Sequence, residues 1–212
     1  MKTSFALKAL VSAGTLALPL VAFAESNVQT GAATAAPGAT AHVDFSIVIP
    51  KILYLRVGTG SSYTTGALTS ANTIDLITFS PAAGTVGNGT AVAGTGGDLT
   101  GGVETAAIVS NSGNVTLNAT ASGALSDGNG DTIPFTQITT AATTLTSGTQ
   151  LPAPVLTNGT SSNVVLTAPA TKLIVQDAKW TYSYANAANV PAGTYGGVNV
   201  NNSRVTYTAT MP

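Results

Sequence analysis

Cysteine is absent from all 212 residues. That excludes disulfides, thiolate metal sites and cysteine nucleophiles, so the fold must be held by its core alone. Charge is nearly as scarce. Asp, Glu, Lys and Arg make up 7% of the chain, against about 25% in ordinary globular domains. Lys51, Arg56, Lys172, Lys179 and Arg204 are scattered, so no phosphate-binding surface is expected and nucleic acid and anionic membranes are poor partners. His42 is the single histidine. It lies two residues from Asp44 on the same side of an extended segment, but no G-x-S-x-G elbow accompanies the pair. Adjacent strand positions do not orient a catalytic triad, so no enzyme is expected. No amphipathic helical stretch is present, which leaves sheet as the way to bury a core.

The longest apolar stretch lies at the N-terminus. Lys2 and Lys8 precede a largely apolar Ala9 to Val21, and Ala22-Phe23-Ala24 forms an A-x-A-like site. This is the pattern of a secretory signal peptide over residues 1–24, with Glu25 as the first mature residue. No later stretch approaches 18 unbroken apolar residues, so no membrane span is expected after processing. The mature chain then has five basic residues against eight acidic ones. Residues 25–40 (ESNVQTGAATAAPGAT) are small, polar and Gly/Ala-rich and read as a flexible arm. Residues 41–212 read as one domain. Its neutral, Thr-rich surface suits sheets that meet other copies of the chain.

The most patterned stretch is Ala41 to Val57, AHVDFSIVIPKILYLRV. Val43, Phe45, Ile47 and Ile49 alternate with His42, Asp44, Ser46 and Val48, placing one apolar set on one face of an extended chain. Pro50 cannot donate to a ladder and marks a bend between two strand segments. Further strands are expected at Thr73 to Phe79, Val103 to Ser110, Asn114 to Ala121, Thr132 to Ile138, Val155 to Leu156, Asn163 to Thr167, Lys172 to Tyr184, Thr194 to Val200 and Arg204 to Thr210. Asn111-Ser112-Gly113 reads as a hairpin turn joining two of them. Thr139 to Pro154 reads as irregular. In Lys172 to Tyr184 the inward parity shifts from Leu173 and Val175 to Trp180, Tyr182 and Tyr184, which predicts a β-bulge near Gln176-Asp177. Some nine or ten short strands divided by turn signals define an all-β chain, an antiparallel Ig-like or pilin-like β-sandwich, with a closed barrel as the alternative.

Candidate sites are few. Asp127, Asn129 and Asp131 have the D-x-N-x-D spacing that opens many calcium loops, where alternate side chains converge on a hard cation. Thr132 stands where such loops have Gly, and no Glu closes the motif. A turn satisfying its own backbone is the competing reading, and no other cofactor is indicated. The Gly84 to Gly102 stretch lacks G-K-[ST] and a following helix, which excludes a phosphate cradle; a short hairpin fits there. Asn88, Asn114, Asn118, Asn158 and Asn201 sit in N-x-[ST] contexts, as the abundance of Asn and Thr makes expected. Trp180, Tyr182 and Tyr184 would line a glycan-binding face if exposed and fill the core otherwise.

The opening VDFSIVIPKILYLRV, the pair VETAAIVSNSGNVTLNATASG and the ending VPAGTYGGVNVNNSRVTYTAT resemble the pilin-like β-sandwich subunits of bacterial surface fibres, including the fimbrial and spore coat U-like groups. The resemblance implies a secreted, cell-surface filament subunit that polymerises with itself by donor-strand exchange. It further implies a periplasmic chaperone and an outer-membrane assembly protein as partners. The disulfide common in those pilins is absent, and the arm offers only Val28 and alanines as plugs. Val43, Phe45, Ile47 and Ile49 are therefore the candidate subunit interface. A monomeric secreted adhesin or glycan-binding module is the alternative function.

Overall fold

The computed structural model describes residues 26–34, 37–60, 68–146 and 148–212; the signal-peptide segment lies outside the described residues. The chain divides into two units between Ile49 and Pro50. In the first, the described residues form no strand and are exposed. The compact unit thus begins at Pro50, nine residues beyond Ala41.

The second unit is all-β, with twelve strands among its described residues and two single 3-10 turns. The strands are β1 (Leu53–Val57), β2 (Ile77–Thr78), β3 (Val92–Ala93), β4 (Thr95–Gly96), β5 (Val103–Ser110), β6 (Val115–Ala121), β7 (Leu125–Ser126), β8 (Thr132–Ile133), β9 (Ile138–Thr143), β10 (Val164–Leu166), β11 (Ile174–Tyr184) and β12 (Val205–Thr210). The count exceeds the expected nine or ten because five of them are only two residues long.

The larger sheet runs β1-β5-β11-β3, with β9 on the other flank of β11. The smaller runs β10-β6-β12. Their inner faces share one core. Ala106, Ile108, Ile174, Ala178, Trp180 and Tyr182 come from the larger sheet, and Val115, Leu117, Ala119, Ala121 and Leu166 from the smaller. Phe135, Leu151 and Leu156 fill in from connecting segments. Two antiparallel sheets closing on a shared core make a β-sandwich, and no barrel closes.

β5 and β6 show how side-chain parity builds this arrangement. Both are regular strands on either side of Asn111-Ser112-Gly113, as expected, but they do not form a hairpin. β5 pairs with β1 and β11, and β6 with β10 and β12. Both apolar sets are buried toward the same core, so the turn becomes a corner that carries the chain from one sheet to the other. Gly113 takes φ +104°, which an L side chain rarely adopts, and its amide donates to the Lys172 carbonyl (3.2 Å). Asn111 fixes the far side: its Nδ2 donates to the Pro50 carbonyl and its Oδ1 accepts from the Ile52 amide, both at 2.8 Å. The start of β1 is thereby pinned to the corner.

β11 has one parity throughout. Ile174, Ala178, Trp180, Tyr182 and Tyr184 are buried, Leu173 and Val175 are half exposed, and the β5–β11 ladder runs unbroken from Ile174↔Ser110 to Thr181↔Val103. The expected bulge is absent because Leu173 and Val175 point outward; Asp177, also on the outer face, is covered by a loop, its carboxylate accepting from the Thr146 amide (3.2 Å) and hydroxyl (2.7 Å). The region expected to be irregular contains β9, paired with β11 from Ile138↔Tyr184 to Thr143↔Lys179. In the Gly-rich stretch, β3 pairs with β11 and β4 with β2, so no local hairpin forms. No strand forms at Val155-Leu156 or Thr194–Val200. The latter is interrupted by Gly196 and Gly197 and followed by a loop with positive φ at Asn199, Asn201 and Asn202.

Two aromatic ties hold the sheets together. The hydroxyls of Tyr182 on β11 and Tyr207 on β12 are 2.8 Å apart, and the Trp180 and Tyr207 rings are centred 5.3 Å apart. The Trp180 indole N–H donates to the Leu151 carbonyl (2.9 Å), so this large side chain is buried with its polar atom satisfied.

Candidate functional site

Val43, Phe45, Ile47 and Ile49 form no strand in this structure. They lie on a segment without regular secondary structure, with Phe45 89% and Ile47 85% exposed. Val48, on the opposite parity, is as exposed. An exposed run of large apolar side chains is unusual, because each loses favourable burial that folding normally supplies. The segment directly precedes the pinned residues Pro50 to Ile52, so its root is fixed even though the segment adds nothing to the core.

Within the compact unit two edges are thinly covered. β12 is an edge strand whose inward side chains, Val205, Tyr207 and Ala209, pack against the core but are only partly covered. Met211 continues that row. On β6, its interior neighbour, every inward residue is buried. β1, the edge strand of the other sheet, lies against β12, and its inward Leu53, Leu55 and Val57 are likewise only partly buried. Lys51 Nζ donates to the Pro212 carbonyl (3.0 Å), joining the two edges at one end. The seam between β1 and β12 is thus the thin part of the sandwich.

A cleft of about 310 Å³ runs along the flank of β1, walled on the other side by Thr69 to Thr73. At its end three carboxylates gather. Asp98 Oδ2 pairs with Arg56 Nη2 (2.9 Å), and Asp98 Oδ1 accepts from the Thr105 amide (2.7 Å). Asp75 accepts from the amide and the hydroxyl of Thr59, the latter at 2.9 Å. Glu104, 4% exposed, accepts from the Asp98 amide (3.2 Å), and its Oε2 and Asp75 Oδ2 both crowd the space beside Gly58. Burial pushes its carboxyl up to about 8, the Asp98 amide opposing and the charges of Asp75 and Asp98 adding to the rise. Sequence reasoning missed this group. Positions 75, 98 and 104 fall on three separate segments, and the one local signal is a glutamate on the inward parity of an apolar strand.

The other sequence candidates lie elsewhere in the fold. Asp127 Oδ1 accepts from the amides of Asn129 (2.8 Å) and Asp131 (3.1 Å), and Asn129 Nδ2 donates to Asp127 Oδ2 (3.3 Å). The three residues close a turn on its own backbone, and those hydrogen bonds hold the Asp127 carboxyl below its usual range. Among the described residues no group of three His, Asp or Glu side chains is placed to hold a metal ion. Trp180, Tyr182 and Tyr184 are all buried, so they offer no glycan face. The amide side chains of Asn88, Asn114 and Asn158 are engaged with the Thr90, Ala168 and Phe135 amides. His42 and Asp44 are exposed. No helix among the described residues is long and apolar enough to cross a membrane.

Comparisons with protein-family models, with curated proteins and with solved structures find no match.

Proposed function

We propose that this protein is the structural subunit of an extracellular filament, assembled by strand complementation between copies. The observation that carries the reading is the exposed apolar row Val43, Phe45, Ile47 and Ile49, rooted at the start of β1. Inserted as a strand beside β12 of another copy, the segment adds main-chain hydrogen bonds to an open sheet edge. Its alternate side chains then complete the cover over Val205, Tyr207, Ala209 and Met211. Each large side chain so buried contributes about 1.5–3 kcal/mol. Ordering the segment costs on the order of 1 kcal/mol or more per residue, so a permanent joint requires most of the row to be buried. A scarcity of charge fits this role, since neighbouring copies then meet without strong like-charge repulsion.

The reading places the mature chain at the cell surface. A periplasmic chaperone would cover the apolar segment or the open edge before assembly, and an outer-membrane assembly protein would export the subunits. Deleting residues 25–49 and examining cells by negative-stain electron microscopy tests it. Loss of fibres, restored by the full chain, is the expected result; fibres of normal abundance would sink the reading. A second arm uses Phe45→Asp and Ile47→Asp together. These exposed positions leave the compact unit untouched, so the variant should remain folded and sediment as a monomer where the parent chain forms polymers.

A further inference from the structure

The carboxylate group at the end of β1 has no part in the assembly reading. Glu104 lies on the inward parity of β5, at the rim of the core, and its carboxyl meets that of Asp75 above Gly58. Gly58 sits at φ +83°, and a Cβ there would overlap both Asp75 Oδ2 and Glu104 Oε2. Two carboxyl groups so close cannot both ionise without repulsion, and a proton on one of them relieves it. Asp75 lies two residues beyond Thr73, the last of the residues that wall the cleft along β1, whereas Glu104 belongs to a strand inside the sheet. The wall is further tied to the end of β1 through Thr59.

We propose that the Asp75–Glu104 pair is a proton-held latch, fastening residues 68–76 along the flank of β1 while Glu104 carries its proton and releasing them when that proton leaves. Other charged and titratable groups face Glu104. Arg56 on β1 is paired with Asp98, and Asp98 on the β4–β5 turn also accepts from the Thr105 amide. Tyr182 on β11 and Tyr207 on β12 are both pushed upward by burial, Tyr207 to about 12. Lys179, opposite Thr105 in the ladder, lies on the outward parity of β11. Raising the pH therefore adds a second negative charge beside Asp75 with no new cation to balance it. The carboxyl pair separates, and the cleft along β1 widens.

The absence of cysteine permits a direct test. A spin label on Ala71→Cys, an exposed position in the wall, reports the mobility of residues 68–76 in the full mature chain. It should change from slow to fast with a midpoint near pH 8. At pH 7 roughly one tenth, and at pH 9 roughly nine tenths, of the molecules then carry the released segment. Glu104→Gln keeps a neutral donor toward Asp75 and should hold the label slow from pH 6.5 to 9.5. Asp75→Asn removes the second charge and should do the same, which guards against a folding defect in either variant; Trp180 fluorescence checks the fold of both. A label that stays slow in the parent chain across this range, or a transition that persists in both variants, would overturn the latch. The readout is taken at dilution on single chains, so failure of filament assembly leaves it unaffected.

Discussion

Gly58 and the tyrosine pair show how much rests on single atoms. At Gly58 the left-handed backbone and two carboxylate oxygens leave no room for a Cβ. Gly58→Ala should lower stability by roughly 1–3 kcal/mol in chemical denaturation. Gly113, with φ +104° but open space around it, should lose less on the same change, because only the backbone term applies. The Tyr182–Tyr207 hydroxyl pair is buried between the sheets, and removing one hydroxyl leaves the other without a partner. Tyr182→Phe should cost about 1–3 kcal/mol, whereas the double variant with Tyr207→Phe should recover part of that loss. Such recovery in a double-mutant cycle distinguishes a satisfied pair from two independent contacts.

Among the elements, those with a strict alternation over six or more residues were legible in sequence. β6 and β12 fall within a residue of the expected strands because a period of two with one buried face has a single solution, and β5, buried on both faces, reads as a short apolar run bounded by turn signals. Ile133 and Phe135, on either side of Pro134, fill the core. The failures have a common cause. Leu173 and Val175 are apolar but outward, and Ile74 and Leu76 are half exposed or more while Ile77 and Phe79 pack inward; hydrophobicity alone then picks the wrong parity. Val43 to Ile49 has the cleanest alternation of all and is not a strand. A pattern marks what could be buried, and burial needs a neighbour. β9 was invisible for the converse reason: ITTAAT has little apolar mass and is held by its ladder to β11. The candidate subunit row was read from sequence, but the carboxylate cluster was not, since only the fold brings residues 75, 98 and 104 together. An element-scale expectation follows. Phe135→Ala, in a segment fixed by the Asn158 side chain (2.8 Å to its amide), should cost about 3–5 kcal/mol, as large core truncations do.

For the whole molecule, pH acts with opposite signs at its two ends of the scale. Glu104 has its folded value raised from 4.5 to about 8, so folding takes up a proton between those values. Its contribution to stability is fully present below about pH 4.5 and is lost as pH rises through about 8. Asp127, whose value is lowered, contributes above its ordinary range and loses that contribution as pH falls below it. The urea midpoint should therefore decline from pH 5 to pH 9, and Glu104→Gln should flatten that decline while leaving the acid limb in place. An unchanged slope in this variant would show that another group titrates there.

The seam between β1 and β12 joins segments separated by most of the compact unit's sequence, and Lys51 bonded to Pro212 helps to secure its end. In folding, that separation makes the seam the slowest contact to establish, because a very long loop must close before any reward arrives. The two sheets can form their interior ladders first, so the transition state should contain β5, β6 and β11 with the seam still open. Val205→Ala and Met211→Ala should accordingly speed unfolding and leave the folding arm of the chevron in place, whereas Ile108→Ala and Leu117→Ala should slow folding. A chain whose last step is to close its own weakest edge passes, on every folding event, through a state in which that edge is open.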